Sequence, residues 1–524
     1  MKKIFLAISA FAILTGSHSQ TAFHKFLPVA DRDGFLYRTC QTSDGGFVSV
    51  GRVSDPATFD NDFLILKTDA SGIASWIKKY SADESEEFTD VAETADGGVV
   101  AAGSSFNMNT FISKAVLKKF SSAGVSQWSR SYSMSGHSAG AKKVAKDASG
   151  NIYVLGAVAV DGSSDDYFIM KLDAGGNILA QHTFGTPDFD YPLAFLRKGN
   201  GDFFICGWNN TSTGENIHLL KINADMTVAW NKKISGTARY FAYDMRERSD
   251  GDIVLAGRYD DLVNSYDILI CTLDDASGEQ VWARSYSAAE GPGTYAYGLT
   301  ITSGDAIAVT GPVETSVEGA FVLATDAAGN LNWSNRYGIP GFAGKGYGIA
   351  AADDGGYMVC GPLSNSSNAI VQLIKTNAEG DLPCNSVGYE ILSGPLTLPM
   401  QSITVTAGNA NLSAQEITLN ETSYGSLETI CTGTGIADIR DQAIKVSPNP
   451  TDGRFTVTTP GMYAGAKVIV VNAAGINVLD SNMPQGETAN SVSKTFSIDI
   501  PAGLYLLSIG NGKQKAARKL FISK

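Results

Sequence analysis

Three observations on the sequence predict an all-β protein. The 524 residues include 56 glycines, and only 18% of the side chains are charged, which is typical of turn-rich β proteins. A unit of about 50 residues recurs seven times over most of the chain. Short β-like segments punctuated by Pro and Gly return after residue 443. We therefore predict a seven-bladed β-propeller, then a small β-rich connector, then a C-terminal immunoglobulin-like β-sandwich.

The first residues have the pattern of a secretory signal peptide. Lys2 and Lys3 give a positive start, residues 4–14 are apolar, and residues 16–19 offer small side chains for cleavage. About eleven apolar residues are too few to span a bilayer. No later segment is long and apolar enough to do so. We expect residues 1–19 to be removed and the mature chain to be exported without a transmembrane segment.

Each repeat is interpreted as four antiparallel strands. In residues 249–287 an Asp-Gly hairpin joins the first two strands and a turn at 274–278 joins the last two. The glycine that ends the second strand recurs every 50 to 54 residues. Seven units of four strands favour a closed propeller over an open solenoid. The recurring glycines are Gly51, Gly103, Gly156, Gly207, Gly257, Gly311 and Gly361.

The seventh repeat lacks its fourth strand and runs into residues 382–384 instead. An unmatched copy of that strand lies at the other end of the chain, in residues 22–26. Phe23 precedes Gly45, the hairpin glycine of the repeat that follows it, by 22 residues. Trp76 likewise precedes Gly97, the hairpin glycine of the second repeat, by 21 residues. We predict that the N-terminal strand completes blade seven and closes the propeller over residues 20–383, which removes exposed sheet edges.

The strand order predicts where a ligand would bind. Asp-Gly hairpins and Asp-x-x-Gly turns lie on one face, and longer, more variable loops lie on the opposite face. Binding residues usually lie on variable loops carried by a rigid scaffold. Aromatic residues there could stack on sugars or grip a peptide, although aromatics packed between blades would give the same pattern. The candidate ligand-binding residues are Trp208, Tyr240, Tyr259, Asp260, Asp261, Tyr297 and Tyr347.

The sequence predicts no catalytic residue, cofactor or metal site. The five histidines are scattered, one of them in the signal peptide. Asp-rich turns such as residues 173–177 lack the ligand spacing of an EF-hand loop and suit tight turns. A formal charge of −13 argues against a nucleic-acid partner, which would need a basic face.

Residues 273–282, Leu-Asp-Asp-Ala-Ser-Gly-Glu-Gln-Val-Trp, resemble the tryptophan-docking motif of pyrroloquinoline-quinone-type propellers. In that family the motif is structural and locks neighbouring blades together, and it also occurs in scaffolds that hold no cofactor. The resemblance implies the fold and not a quinone enzyme.

The six cysteines fall into two groups. Four lie in apolar strands of different repeats and are expected to be buried. Cys384 and Cys431 instead bracket residues 384–431, which form either a small β module or an extended connector. A disulfide between them would close a loop of about 47 residues and stabilise the fold by roughly 4 kcal/mol. We hypothesise that it ties the connector to the exit of the propeller.

After a linker at residues 432–442, the tail carries several motifs in a fixed order. Pro-Asn-Pro is followed by Gly and Phe, then by Asn-Ala-Ala-Gly, Pro-Ala-Gly-Leu-Tyr and a basic end at 513–524. With these motifs, residues 443–524 resemble the type A sorting domain of the Bacteroidetes type IX secretion system. The resemblance implies export across the outer membrane with the type IX machinery as partner. The motif residues are Pro448, Asn449, Pro450, Gly453, Phe455, Gly475, Gly503 and Tyr505.

Two functions remain open for the mature product, which is expected to be monomeric and secreted, or held at the outer surface, after passing the periplasm. One is a binding, adhesion or scaffold module for a surface glycan or protein. The other is an exported hydrolase or lyase acting on polysaccharide, with its site on the propeller loop face. Scattered acids and few histidines favour binding, whereas carboxylates converging on the central channel would favour the enzyme.

Overall fold

A computed structural model describes residues 21–29, 33–55, 58, 60–82, 84–159, 165–211, 214–262, 266–289, 293–313, 319–339, 341–365, 369–382, 385–434, 445–448, 451–460, 464–471, 477–485, 491–510 and 515–523. Of these, residues 21–381 and 385–434 form one compact unit, the propeller unit. Residues 445–523, with Leu382, belong to a second unit, the tail unit. The predicted signal peptide, residues 1–19, lies outside the described residues.

The propeller unit is built from seven antiparallel sheets, or blades, numbered here in chain order. The strands of blades 1 to 3 follow β1 (Thr21–Leu27) and are β2 (Asp33–Gln41), β3 (Phe47–Ser54), β4 (Asn61–Thr68), β5 (Ala74–Ser81); β6 (Ser85–Glu93), β7 (Val99–Asn107), β8 (Ile112–Phe120), β9 (Ser126–Ser133); β10 (Ala139–Lys146), β11 (Ile152–Ala159), β12 (Asp165–Leu172) and β13 (Ile178–Gly185).

Blades 4 to 7 continue the same pattern, and β1 completes blade 7. Their strands are β14 (Phe189–Arg197), β15 (Phe203–Thr211), β16 (Gly214–Ile222), β17 (Val228–Ile234); β18 (Arg239–Glu247), β19 (Ile253–Asp260), β20 (Tyr266–Leu273), β21 (Gln280–Ala288); β22 (Gly298–Ile301), β23 (Ile307–Val313), β24 (Gly319–Thr325), β25 (Leu331–Tyr337); β26 (Ala343–Gly344), β27 (Gly348–Ala351), β28 (Tyr357–Ser364) and β29 (Ala369–Lys375).

The Asp-Gly hairpins form for the reason that the sequence suggests. In blade 1 the Asp44 carboxylate accepts hydrogen bonds from the Gly46 N–H (3.1 Å) and from Thr42 Oγ1 (2.6 Å), as Asp does in Asx turns. Gly45 has φ of +79°, which glycine adopts without steric cost. The buried Lys67 ammonium reaches the same carboxylate at 2.5 Å and ties the hairpin to β4.

Neighbouring blades are joined by an aromatic ring that stacks on a glycine of the next blade. The Trp76 ring of blade 1 covers Gly124 of blade 2, where a Cβ atom would lie 2.7 Å from the indole. Trp230 and Trp282 cover Gly278 and Gly329 in the same way. Each of these glycines has a positive φ. The structural role that the docking resemblance implied is therefore present.

The ring closes through β1, as the sequence predicts. β1 pairs antiparallel with β29, with Phe23 opposite Lys375. The Phe23 ring covers Gly72 of blade 1, where a Cβ atom would lie 2.4 Å away. Phe23 thus occupies the position that tryptophan holds in other blades, and the prediction of a seven-bladed propeller closed by the N-terminal strand is confirmed.

Residues 385–434 form an extended connector and not a separate β module. They supply one further strand to the outer edge of every blade, and we call them the belt. The belt visits blades 6, 5, 4, 3, 2, 1 and finally 7, so it runs against the order of the chain. Its strands are β30 (Ser386–Gly388), β31 (Ile391–Pro395), β32 (Met400–Ser402), β33 (Thr406–Gly408), β34 (Ser413–Glu416), β35 (Asn420–Ser423) and β36 (Glu428–Thr434).

Apolar belt residues spaced seven apart pack between consecutive blades. Each belongs to a different hydrophobic cluster, and the blade residues of each cluster come from two adjacent blades. The seven belt strands pair with the blades through their backbones, which covers seven sheet edges that would otherwise be open. The five residues are Ile391, Leu398, Val405, Leu412 and Leu419.

The tail unit consists of two antiparallel sheets that share one hydrophobic cluster. Phe455 and Phe496 stack at 5.7 Å inside it. The two-layered arrangement agrees with a β-sandwich, and an immunoglobulin-like topology stays a prediction. The sheets contain β37 (Lys445–Ser447), β38 (Arg454–Pro460) and β41 (Ser491–Ser497), and β39 (Lys467–Val471), β40 (Asn477–Asn482), β42 (Gly503–Gly510) and β43 (Lys515–Ile522).

Several motif residues of the tail have structural roles. Phe455 is buried in the cluster, and Tyr505 is buried with its hydroxyl donating to the Pro501 carbonyl at 2.9 Å. Gly453 has φ of +110° and lies where a Cβ atom would be 2.4 Å from the Ile498 carbonyl oxygen. Pro448 directly follows the end of β37 and Gly503 begins β42, whereas Asn449, Pro450 and Gly475 lie outside the described residues.

The four blade cysteines are free thiols. Cys206, Cys271 and Cys360 are buried and Cys40 is partly buried, so they act as small core residues. Burial raises the pKa of the Cys40, Cys271 and Cys360 thiols to about 12. Cys384 lies outside the described residues, and of Cys431 only the backbone in β36 is described, so the disulfide between them stays a prediction.

Candidate functional site

The innermost strand of each blade lines the central channel, and most of these strands carry a β-bulge. In β2 the register with β3 shifts between Leu36 and Arg38, so no residue of β3 lies directly opposite Tyr37. In β18 the same shift leaves out Tyr243. Bulges turn a side chain away from its regular direction. The equivalent positions, each fourteen residues before the repeat glycine, are Tyr37, Thr89, Lys142, Leu193, Tyr243, Tyr297 and Tyr347.

Four of these seven positions are tyrosines on consecutive blades, and together with Tyr295 we call them the tyrosine cluster. The Tyr297 ring lies 5.0 Å from Tyr243, 4.9 Å from Tyr295 and 4.9 Å from Tyr347 between ring centroids. Tyr347 stacks on Tyr37 at 5.9 Å. Tyr37 and Tyr243 lie at the middle of β2 and β18, whereas Tyr297 and Tyr347 directly precede β22 and β27. The cluster therefore lies one residue nearer the variable-loop face than Arg38 and Asp244.

The Arg258 side chain borders the tyrosine cluster. The Arg258 guanidinium lies 4.1 Å from the Tyr266 ring and 6.0 Å from the Tyr295 ring, within the range of cation–π attraction. Asp260 holds that guanidinium at 2.7 Å.

Burial, with a smaller contribution from Glu87, raises the pKa of the Tyr37 hydroxyl well above its usual value. The hydroxyl therefore keeps its proton and stays a hydrogen-bond donor.

The structure separates the predicted ligand-binding residues into three places. Tyr297 and Tyr347 belong to the tyrosine cluster. Tyr240, which is buried, and Tyr259 form a separate pair at 5.6 Å. Trp208 contacts Phe189 edge-on at 6.3 Å in blade 4, and its indole N–H has no hydrogen-bond partner among the described residues.

The two predicted aspartates already have interaction partners within the protein. Asp260 is 9% exposed and already accepts bonds from Arg258 Nη2 and from the Leu262 N–H. Asp261 also has an interaction partner. Sequence reasoning missed Tyr37, Tyr243 and Tyr295, although the fixed distance of fourteen residues to the repeat glycine identifies the first two.

One residue further along the inner strands, charged side chains meet in the channel. Arg38 Nη1 lies 2.6 Å from Asp244 and Arg38 Nε lies 3.3 Å from Asp90. Arg246 Nη1 lies 2.7 Å from the other oxygen of Asp244. Burial opposes ionisation of Asp244, but Arg246 and Arg38 outweigh it and hold the pKa of that carboxyl well below its usual range. Neither carboxylate is therefore free of a cation.

Arg38, Asp90 and Arg246 border a central cavity of about 630 Å³, a volume in the range of small-molecule sites. Its lining comes from the second half of the inner strands of all seven blades and from hairpin residues Thr302, Ser303 and Asp305. The cavity thus extends toward the Asp-Gly hairpin face, whereas sequence reasoning expected a ligand on the opposite face.

A nucleophile motif in the sequence has no catalytic setting. Residues 136–140 read Gly-His-Ser-Ala-Gly, the G-x-S-x-G spacing that marks a strand-to-helix turn in α/β-hydrolases. Here Ser138 precedes strand β10, and its Oγ accepts the Ser113 N–H at 3.2 Å.

Among the described residues, no three His, Cys, Asp or Glu side chains converge as metal ligands. The same residues contain no helix that could cross a membrane.

Comparison with protein families identifies the tail. Residues 445–523 match the secretion system C-terminal sorting domain. No curated protein matches the chain.

Three solved structures illustrate the similarities to the chain. A protein of unknown function from Dyadobacter fermentans has 11% identity and a TM-score of 0.42, over 67% of this chain and 97% of that one. Quinohemoprotein alcohol dehydrogenase from Comamonas testosteroni has 9% identity and a TM-score of 0.39, over 69% and 77%. PorZ, a surface component of the type-IX secretion system of Porphyromonas gingivalis, has 8% identity and a TM-score of 0.17, over 96% and 100%.

These structural similarities are too distant to carry an argument about function, and the propeller is established by its own seven sheets. The match at residues 445–523 confirms that the tail is a secretion-system sorting domain, as its motifs indicated. The chain is an exported protein, directed to the outer cell surface or beyond by a type IX secretion system C-terminal sorting domain at residues 445–523.

Proposed function

We propose that the mature protein is a binding module that holds a surface glycan on the tyrosine cluster. The observation that carries the proposal is the unbroken contact of aromatic rings across blades 5, 6, 7 and 1. Tyr37, Tyr243, Tyr297 and Tyr347 are each only partly buried. Ring faces suit the apolar C–H faces of sugars, and phenol hydroxyls suit their polar edges.

An exported hydrolase or lyase acting on polysaccharide is the second candidate. Convergence of Asp90 and Asp244 on the channel favours it, since glycoside hydrolysis uses two carboxyl groups. Both carboxylates are bonded to Arg38, however, and Asp244 is held in its ionised form. Neither contact suits a general acid, which needs a raised pKa, so binding is the better supported function.

A glycan-array screen of the full mature chain, residues 20–524, tests the proposal. The double variant Tyr297→Ala, Tyr347→Ala should lose affinity for the bound glycan by about tenfold or more, because two stacking rings are removed. Phe111→Ala is the matched control, since Phe111 is an exposed ring (73%) outside the cluster. Binding that survives the double variant, or binding of a protein in place of any glycan, would contradict the proposal, and turnover of the bound glycan would establish the enzyme.

A further inference from the structure

The central cavity contains a cation that the protein itself does not neutralise. Lys143, from β10, lines the cavity together with Arg38 and Arg246. Within the described residues, the Lys143 ammonium makes neither a hydrogen bond nor an ion pair, although it lies in the electrostatic range of Asp90 and Asp244. Three cations thus face two carboxylates at this level of the channel.

The two carboxylates are already occupied by other donors. Asp244 accepts hydrogen bonds from Arg38, from Arg246 Nη1 (2.7 Å) and from the Met245 and Leu299 N–H groups (both 3.0 Å). Asp90 accepts from the Val144 N–H at 2.9 Å and pairs with Arg38. Asp244 therefore has little acceptor capacity left, and among the described residues neither carboxylate makes an ion pair with Lys143.

The carboxylates nearer the rim of the cavity also have partners of their own. Glu247 lies 3.3 Å from the Lys198 ammonium. Asp305 accepts hydrogen bonds from the backbone N–H (2.9 Å) and the hydroxyl (2.5 Å) of Ser249. Neither makes an ion pair with Lys143, so the positive charge is left to whatever fills the cavity.

An ammonium held inside a protein without an anion is unfavourable. Burial, with Arg38 beside it, lowers the pKa of Lys143 from its usual value, which is the expected sign of that cost. Arg246 uses only Nη1 in its bonds to Asp244 and the Met245 carbonyl. A negatively charged oxygen group between the two side chains would relieve the cost and add charge-assisted hydrogen bonds.

We propose that the central cavity binds a small oxyanion, either a carboxylate or a phosphate group, with Lys143 and Arg246 as its ligands. The residues that line the cavity follow the cluster tyrosines along each inner strand, toward the Asp-Gly hairpins, and include none of those tyrosines. The two sites therefore use different residues, and one can fail without the other.

The proposal is tested on the full mature chain with acetate and inorganic phosphate as separate probes, against chloride at the same ionic strength. The lysines are acetylated with acetic anhydride, and peptide mass mapping then measures how fast each lysine reacts with and without the probe. One or both probes should protect Lys143 by at least about threefold, which corresponds to a mostly occupied site. Lys146, an exposed lysine three residues further along β10, is the internal control and should react unchanged.

A variant measurement uses isothermal titration of the same probes. Lys143→Met should weaken binding about tenfold or more, because it replaces a charged hydrogen-bond donor with an uncharged side chain of similar length. Lys146→Met should leave the affinity unchanged. If neither acetate nor phosphate protects Lys143 in the unmodified protein, the cavity holds only water around the ammonium and the proposal is wrong. Equal binding by Lys143→Met would also overturn it. The acetylation experiment uses the unmodified protein, so it tests the proposal even if Lys143→Met fails to fold.

Discussion

At the scale of single residues, the junctions between blades depend on glycines that serve two purposes. Gly124 supplies a positive φ of +77° for its turn and an open face for the Trp76 ring. Gly150 supplies only the first, since its φ is +83° and nothing lies within 4 Å of a Cβ atom there. The two glycines separate the cost of backbone strain from the cost of losing the stacking contact.

We expect Gly150→Ala to destabilise the protein by about 1 kcal/mol, the cost of a left-handed conformation for a non-glycine residue. Gly124→Ala should cost a further 1–3 kcal/mol or so, because its methyl group would overlap the indole ring and force the blades apart. Denaturant unfolding of both variants beside the unmodified protein measures the difference. Equal destabilisation would mean that the Trp76 contact adds nothing beyond backbone geometry.

At the scale of secondary-structure elements, the belt is the part of the fold that local sequence describes least. β33, β34 and β35 are exposed at every position, because an outer strand has solvent on both faces. They therefore show none of the alternation of apolar and polar residues that identifies a strand. What holds them is backbone pairing to a blade, together with contacts such as that of Glu421 with Tyr80 Oη at 2.8 Å.

The two ends of the belt meet at blade 7, and this bears on the predicted disulfide. Asn385 Nδ2 lies 2.8 Å from His24 Nδ1, and His24 is opposite Cys431 in the pairing of β1 with β36. Burial, partly offset by hydrogen bonds to Gln372 and Asn385, lowers the pKa of His24 to about 4, so the ring is neutral at pH 7. The residue that follows Cys384 thus contacts the strand neighbour of Cys431.

We predict that Cys384 and Cys431 are linked in the exported protein and fasten the start of the belt to its end. Peptide mapping without reduction should recover the two cysteines in one linked pair. Reduction should then lower the free energy of unfolding by roughly 4 kcal/mol, the chain-entropy value for a loop of this length. Recovery of both residues as free thiols would remove the prediction, and Cys40 and Cys206 provide the comparison as thiols already free in the structure.

At the scale of the whole molecule, the propeller unit and the tail unit each have their own hydrophobic core. The last belt strand, β36, ends beside the first described residue, with Thr434 opposite Thr21. Every outer strand of the propeller is therefore paired before the chain reaches the linker. Removal of the tail should leave the contacts of the propeller unit intact.

We therefore expect a chain that ends at residue 442 to fold and to accumulate in the periplasm, because the sorting domain that directs passage across the outer membrane is missing. Cell fractionation with surface protease treatment measures its location. The control is the full chain with Gly150→Ala, which alters one exposed turn and retains the tail. Surface delivery of the truncated chain at the level of the full chain would refute the role given to residues 443–524.

The sequence by itself determined the repeat, the number of blades and the closure of the ring, and it identified the sorting domain. These features are either repeated at fixed spacing or confined to one segment. Local patterns such as Asp-Gly turns and the position of Trp76 are therefore enough to predict them. The seven-residue spacing of Ile391, Leu398 and Val405 is also present in the sequence, but it predicted no belt, because its reason is that each residue packs at a different junction between blades.

Tertiary structure alone decided the path of the belt, the meeting of Tyr37 with Tyr347, and the charge balance around Lys143. Each depends on residues far apart in the chain that come together only when the ring closes. Arg38 of blade 1, for example, pairs with Asp90 of the neighbouring blade 2 and with Asp244 of blade 5, across the channel. Since such contacts depend on side-chain direction and on neighbours from other blades, periodicity along the sequence contains no record of them.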